Sequence, residues 1–374
     1  MGYEVMRDFR FFEGNYKYMK NVLQILSYAA PYRGNFIPSL EHLENAYKDG
    51  RMIYLFPVTA QNVSWMPMFQ QEHKVYFMPN GFFGKQISWA ILKKLREIIK
   101  EENIKVIHTH FLVYNYSLFV AKHTFARKIK MIAHIHNQFA IPSTKSAPIK
   151  KFVMEYSYDT IIGVSKSVAD GLNRQIKHKD ITYIDNAICF SRLDTYEKIS
   201  LRDNENQKVV LMAGWPALVK GVDIAAKAIA KLRDDGYDIK LCIMQSGDFE
   251  QIRKCVKEAI GASPEWVQVC SPREDVATYY NAADVFLSAS RTEAFSYCLV
   301  EAAYCKPMLI TSNVPGPNDL KIDGMERFVS EDVEDLAHKM KELLVISMDV
   351  EERKYNVIRL YELRHWAEAI AELY

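Results

Sequence analysis

The stretch 283–313, ADVFLSASRTEAFSYCLVEAAYCKPMLITSN, decides the fold. Two short apolar runs, 285–287 and 307–310, bracket a polar turn and then an apolar segment with helical spacing over 297–304. The order is strand, loop carrying Glu293, helix carrying Glu301, strand. In a parallel α/β sheet the loops at the carboxyl ends of strands face the ligand crevice, and helix N-termini direct free N–H groups at anions. Glu293 is therefore expected at the crevice, with Glu301 one or two turns into the helix. A carboxylate accepts hydrogen bonds only, which suits vicinal hydroxyls, and two at this spacing can serve one ligand if one reads hydroxyls at its far end and the other a ribose.

Glu293 and Glu301-Ala302 form a Glu-x7-Glu-Ala motif, preceded by an aliphatic strand beside Asp284 and followed by small helical residues. On these residues the chain resembles the retaining nucleotide-sugar glycosyltransferases of family 4. The resemblance implies an α/β protein of GT-B type, with two doubly wound, parallel-sheet (Rossmann-like) domains facing across a cleft. It implies an acceptor-side domain over 19–189; the segment 1–18 has no clear place in the pattern and reads as an N-terminal extension, and 190–207, polar and with little periodicity, reads as a linker. A nucleotide-sugar-binding domain would follow over 208–350, and a helix over 351–374 would cross back to the first domain, anchored by Trp366 and Leu373.

The length of 374 residues suffices for two ordinary domains, and 49% hydrophobic with 25% charged residues is the balance of a globular protein. No apolar run reaches the length of a membrane span and the N-terminus has no secretory pattern, so a cytoplasmic location is expected. The six cysteines show no metal spacing and read as free thiols. Residues 1–187 hold 25 Lys and Arg against 15 Asp and Glu, whereas 188–374 hold 23 against 31. The basic residues cluster at Lys93, Lys94, Arg96 and Lys100, at Arg127, Lys128 and Lys130, and at Lys145, Lys150 and Lys151. They read either as solvated helix faces or as an attraction to an anionic membrane surface or a lipid-diphosphate acceptor. No nucleic-acid motif accompanies them.

Along the chain, 21–27 reads as the first buried strand and 30–36 as a turn into a helix over 37–47. The resemblance places Gly34, in that turn, beside the donor. The strands 105–110 and 131–137 each end in a histidine pair, His108 with His110 and His134 with His136. By resemblance His136 contacts the donor sugar and His110 lies toward the acceptor. In the second half, a strand over 209–213 leads through Gly214 to Lys220-Gly221 and a helix over 222–232. A lysine at a helix N-terminus adds a point charge to the helix dipole, which suits a diphosphate.

The family carries Gly-Arg where this chain has Gly214-Trp215, which removes one cation from the leaving diphosphate. Arg291 and Arg273 are the candidate replacements. The loop with Pro272 and Arg273 corresponds to the family's base cradle. Glu293-Ala294-Phe295-Ser296 replaces the family's Glu-Gly-Phe-Gly, and alanine and serine adopt positive φ less freely than glycine. The donor-binding set implied is Gly34, Gly214, Lys220, Pro272, Arg273, Glu293, Ala294, Phe295, Ser296 and Glu301. The catalytic set is His136, Glu293 and Lys220.

The expected activity is retaining transfer from a nucleoside-diphosphate sugar, UDP ahead of GDP, to a saccharide or lipid-linked saccharide. No cofactor beyond the donor and no metal is expected, since no DxD-type cluster sits in a loop. Alternatives are a non-catalytic partner-binding module of the same fold, favoured by Trp215 and the lost glycines, and another GT-B chemistry such as an epimerase or phosphorylase. An NAD-dependent enzyme would need a G-x-G-x-x-G motif, which no strand here is followed by.

Overall fold

The computed structural model describes residues 20–78, 87–112, 114–138, 146–178, 180–245, 249–271, 273–346 and 350–374. The expected extension 1–18, Lys145 and the donor-binding candidate Pro272 lie outside the described residues.

The first half alternates strands and helices: β1 (Asn21–Ile25), α1 (Phe36–Ala46), β2 (Met52–Pro57), α2 (Met66–Glu72), β3 (Lys74–Met78), α3 (Trp89–Glu101), β4 (Ile104–His110), α4 (Asn115–His123), β5 (Lys130–Ile135), α5 (Ala147–Ser157), β6 (Thr160–Gly163), α6 (Lys166–Gln175) and β7 (Ile181–Tyr183). The strands form a parallel sheet of order β3-β2-β1-β4-β5-β6-β7. Both faces are covered, which is why β2 can be buried along its whole length. Leu92, Leu95, Leu118, Met154 and Val168 of α3 to α6 pack on one face, against Leu23, Ile107 and Ala133.

The second half runs β8 (Lys208–Ala213), α7 (Val222–Asp234), β9 (Ile239–Met244), α8 (Phe249–Ile260), β10 (Val267–Cys270), α9 (Ala277–Ala282), β11 (Val285–Ser288), α10 (Tyr297–Tyr304), β12 (Met308–Ser312), β13 (Met325–Phe328), α11 (Val333–Leu343), α12 (Val350–Tyr361) and α13 (Leu363–Ala371). Its sheet, order β10-β9-β8-β11-β12-β13, is also parallel. Helices α7, α8 and α11 cover one face, and α9, α10 and α12 the other.

Helix α13 leaves this domain. Its Trp366 and Ile370 join Leu40 and Leu43 of α1 over Val22, Tyr54 and Ile132 of the first sheet, and Leu373 is partly buried there. The segment 190–207 is less free than its polar composition implies: it opens with a 3-10 turn at Phe190–Leu193, and Leu193 and Leu201 are buried. Where the chain passes between domains, the backbone N–H of Ile188 donates to the carbonyl of Tyr361 at 2.8 Å, and Ile188 bridges Glu362 in parallel. The two crossings are thus bonded to each other.

Each sheet reverses its winding once, between β1 and β4 and between β8 and β11. Crevices form at such reversals, outside the carboxyl ends of the strands. The loops after β1, β4 and β5 therefore face the loops after β8 and β11. These loops carry Gly34, His136, Lys220 and Glu293.

Candidate active site

Lys220 and Glu293 lie 73 positions apart in sequence and meet across the second reversal, Nζ to Oε2 at 2.5 Å. Burial of the ammonium opposes its charge, yet the Glu293 carboxylate outweighs that cost and holds the Lys220 pKa above its ordinary value. Gly221 makes this approach achievable. Its φ is +70°, and a Cβ there would stand 2.0 Å from the carbonyl oxygen of Ala289. Gly316 has a similar role behind the Glu293 loop, where a Cβ would meet the Glu293 carbonyl oxygen at 2.6 Å. Ser296, at the cap of α10, adopts φ +76° without the glycine that such a position favours.

Glu301 is enclosed, with 5% of its surface exposed. Its Oε1 accepts from Asn35 Nδ2 at 2.8 Å and Arg192 Nη1 at 2.5 Å, and its Oε2 accepts from the Tyr280 hydroxyl at 2.8 Å. Asn35 comes from the loop after β1, Arg192 from the crossing segment and Tyr280 from α9, so one carboxylate joins three parts of the chain. The Arg192 guanidinium is desolvated, but Glu301 beside it raises its pKa. Arg192 also lines a cavity of about 540 Å³ with Arg33, Gly34, Cys189, Glu274 and Asp275, between the two domains.

His136 stands just beyond β5, facing the same cleft. Its ring stacks on Phe111 at 4.3 Å and meets the edge of Phe36, the residue after Asn35, at 5.6 Å. Two residues on, Gln138 Nε2 donates to the backbone carbonyl of Glu293 at 2.8 Å. Another bond between domains runs from the Ser167 N–H to Asp319 Oδ2 at 2.7 Å. Behind His136, the rings of His134, His110 and His108 are fully buried. Burial and the neighbouring imidazoles hold His136, His110 and His108 well below the ordinary histidine range, and burial takes His134 to about 3.

Ring nitrogens of His108, His110 and His134 lie within 4.8 Å of one another. The His108 and His134 planes differ by only 10°, and those of His108 and His110 by 29°. In-plane lone pairs of parallel rings do not converge on one point, as tetrahedral coordination at about 2.0 Å requires. The trio is arranged as a stack of rings.

Several sequence expectations need correction. Arg291 makes two bonds to Asp223, at 2.9 and 2.8 Å, and one to Glu331 at 2.7 Å. Arg273 is held by Asp275 and Glu197. Neither guanidinium is free to replace the cation lost at Trp215. The side chains of Ala294 and Phe295 are buried, Phe295 against Tyr297 and Tyr361, so only their backbone can face a ligand. Gly214 is a packing glycine: a Cβ would stand 2.3 Å from Ile243 Cγ2. The cation nearest the glutamate pair besides Lys220 is Arg192, which the sequence reading placed in a featureless linker.

Comparison with known proteins accords with this geometry. The family model for glycosyl transferases group 1 matches residues 195–357, and the model for glycosyltransferase family 4 matches 60–192. The chain belongs to the family 4 glycosyltransferases. The enzyme is 22% identical over 323 residues to the GPI3 subunit of phosphatidylinositol N-acetylglucosaminyltransferase from Saccharomyces cerevisiae, covering 80% of this chain and 70% of that one. It is 26% identical over 238 residues to N-acetyl-alpha-D-glucosaminyl L-malate synthase of Bacillus anthracis, covering 61% of each. Anabaena HepE in complex with UDP superposes with a TM-score of 0.73 at 16% identity, over 95% of this glycosyltransferase and 99% of HepE. At that identity the likeness is one of fold, and the fold is GT-B.

Proposed function

We propose that this glycosyltransferase transfers a sugar from a UDP-sugar to a hydroxyl acceptor with retention at the anomeric carbon. The observation that carries the reading is the Lys220–Glu293 pair at the sheet reversal, 2.5 Å across, facing the loop that bears His136. Donor entry exchanges partners there: the diphosphate takes the Lys220 ammonium, and the freed Glu293 carboxylate accepts from sugar hydroxyls. Glu301 reads the ribose, and the cavity at Arg192 and Gly34 gives the nucleoside room. His136 contacts the sugar from the opposite domain. The diphosphate leaves toward Lys220 as the acceptor hydroxyl attacks from the same face of the sugar and passes its proton to the departing diphosphate oxygen, and the closed cleft keeps water out. The charge is met by Lys220 and backbone N–H groups, without a metal.

UDP is favoured by the fold shared with HepE, whose structure holds UDP. N-acetylglucosamine is the first sugar to test, because both sequence relatives are named for its transfer. Calorimetric titration with UDP, GDP and their sugar conjugates, beside a Glu301→Ala variant, tests the reading. UDP binding that the variant loses is expected, followed by transfer with retained configuration seen by NMR of the product. If neither nucleotide binds at millimolar concentration, the rival reading of a non-catalytic module, favoured by Trp215, takes its place.

The acceptor side faces an anionic membrane surface in this proposal. Helix α4 packs between α3 and α5. Together they expose Trp89 (82%), Ile149, Phe152 and Tyr156 among Lys93, Lys150 and Lys151. Such a mixture of aromatic and basic side chains suits a lipid-linked acceptor held at a headgroup layer. Charge reversal at Lys93, Lys94 and Arg127 is expected to abolish flotation with anionic vesicles, and binding that ignores salt would refute it.

A further inference from the structure

Gln24, His108, His110 and His134 share one face of the first sheet, with Gln24 opposite His108 on neighbouring strands and His110 opposite His134. Helix α13 and Tyr374 cover that face. A chain of hydrogen bonds runs through it. His108 Nδ1 lies 2.6 Å from the Tyr374 hydroxyl, which accepts from Gln24 Nε2 at 2.8 Å. Gln24 Oε1 lies 3.1 Å from His110 Nε2, and His110 Nδ1 lies 2.9 Å from His136 Nε2. Among the four rings, only His136 is partly exposed, at the cleft end.

With the Gln24 amide as it stands, its Nε2 toward the Tyr374 hydroxyl and 3.8 Å from Met52 Sδ, donor and acceptor rules assign the protons along this chain. An amide oxygen only accepts, so His110 Nε2 carries a hydrogen. A neutral imidazole has one N–H, so His110 Nδ1 is bare and His136 Nε2 must be the donor to it. The same count leaves His136 Nδ1 bare. At the other end the tyrosine hydroxyl, having accepted from Gln24, gives its single hydrogen to His108 Nδ1. Turning the Gln24 amide over would reverse every bond and move the His136 proton to Nδ1. Gln24 and Tyr374 hence act as the lock on a chain with two opposite polarities.

We propose that Gln24 and Tyr374 are positioning residues that hold His136 in the Nε2–H tautomer, so that its Nδ1 accepts a hydrogen bond from a hydroxyl of the donor sugar. The inference rests on the proposed role of His136 at the donor. It adds that a residue arriving from the far end of the chain, and touching no substrate, sets which sugar atom His136 can read.

The test is histidine 15N NMR on the whole protein, wild type, Gln24→Leu and Tyr374→Phe, alongside calorimetry with UDP and UDP-N-acetylglucosamine. His136 is expected as Nε2–H in the wild type and as a mixture of tautomers in both variants. UDP affinity should be unchanged in the variants, while the gain from the sugar falls roughly five- to tenfold, the worth of one hydrogen bond. An Nδ1–H tautomer in the wild type overturns the proposal, as does an unshifted tautomer in both variants or an undiminished sugar gain. The NMR arm needs no ligand, so failure of UDP to bind would count against the glycosyl-transfer reading while the tautomer assignment is still judged.

Discussion

Arg192 Nη1 and Glu301 Oε1 stand 2.5 Å apart, and the arginine belongs to the segment that joins the domains. The carboxylate proposed to read the ribose is thus already engaged by a cation from outside its own domain. Donor binding at Glu301 must share or displace that contact.

Arg192→Ala leaves a buried carboxylate with only Asn35 and Tyr280 as donors. A loss of about 2 to 3 kcal/mol in unfolding free energy is expected, at the lower edge for a broken buried pair because two hydrogen bonds remain. Denaturant melts measure it. A double-mutant cycle with Glu301→Gln should show strong coupling, since each change removes the other's partner.

Lys220→Ala removes the ammonium proposed to receive the leaving diphosphate. A fall in kcat of roughly 100- to 1000-fold is expected, the usual cost of one lost transition-state donor. Lys220→Arg should recover part of it. Turnover within a few-fold of wild type in the alanine variant would show that the diphosphate lies elsewhere.

Ser296 and Gly221 give opposite predictions from the same backbone region. Ser296→Gly relieves a left-handed conformation and should stabilise the protein by about 1 kcal/mol. Gly221→Ala adds strain and drives a Cβ into the carbonyl of Ala289, so thermal melts should show a clear loss of stability. Equal melting temperatures for the two variants would contradict this account of the loops.

Stability should fall on both flanks of neutral pH. The stacked histidines are held neutral in the fold but protonate near 6.5 when unfolded. The unfolded state therefore binds more protons below that pH, and stability drops as pH falls from 6.5 toward 3, by about 1.4 kcal/mol per unit for each ring still neutral. On the alkaline side, burial of His73 opposes its charge, but its hydrogen bond to Glu44 and the Glu41 carboxylate nearby raise its pKa to about 9. That contribution is complete below 6.5 and is lost as pH rises through 9. Melts across this range, with His73→Gln removing only the alkaline limb, test both.

Much of the candidate site's layout was legible because its parts are local. Glu293, Glu301 and Lys220 each announce themselves by a strand, a turn and a helix start within a few residues. Their partners do not. Nothing in sequence spacing ties Lys220 to Glu293 or Arg192 to Glu301, because those pairs are made by winding order and by a crossing segment whose polar composition resembles any loop. The edge strands β3 and β13 escaped the reading for a related reason. Lys74-Val-Tyr-Phe-Met78 is half exposed, and Met325-Glu-Arg-Phe328 places two charged residues in a four-residue strand, so neither shows the buried run of the central strands. The tail read as one helical segment, whereas the structure has two helices. Glu362 adopts an extended conformation between α12 and α13, and no glycine or proline marks the break.

The bond between Ile188 and Tyr361 gives the two domains a paired hinge. A single tether would let one lobe swivel freely about the other. Two strands pinned side by side resist torsion and leave bending across their common line as the soft direction. The lobes should therefore part like the covers of a book, separating Gln138 from Glu293 and Asn35 from Glu301 in one stroke, so that the same movement admits the donor and frees the carboxylate that is to greet it.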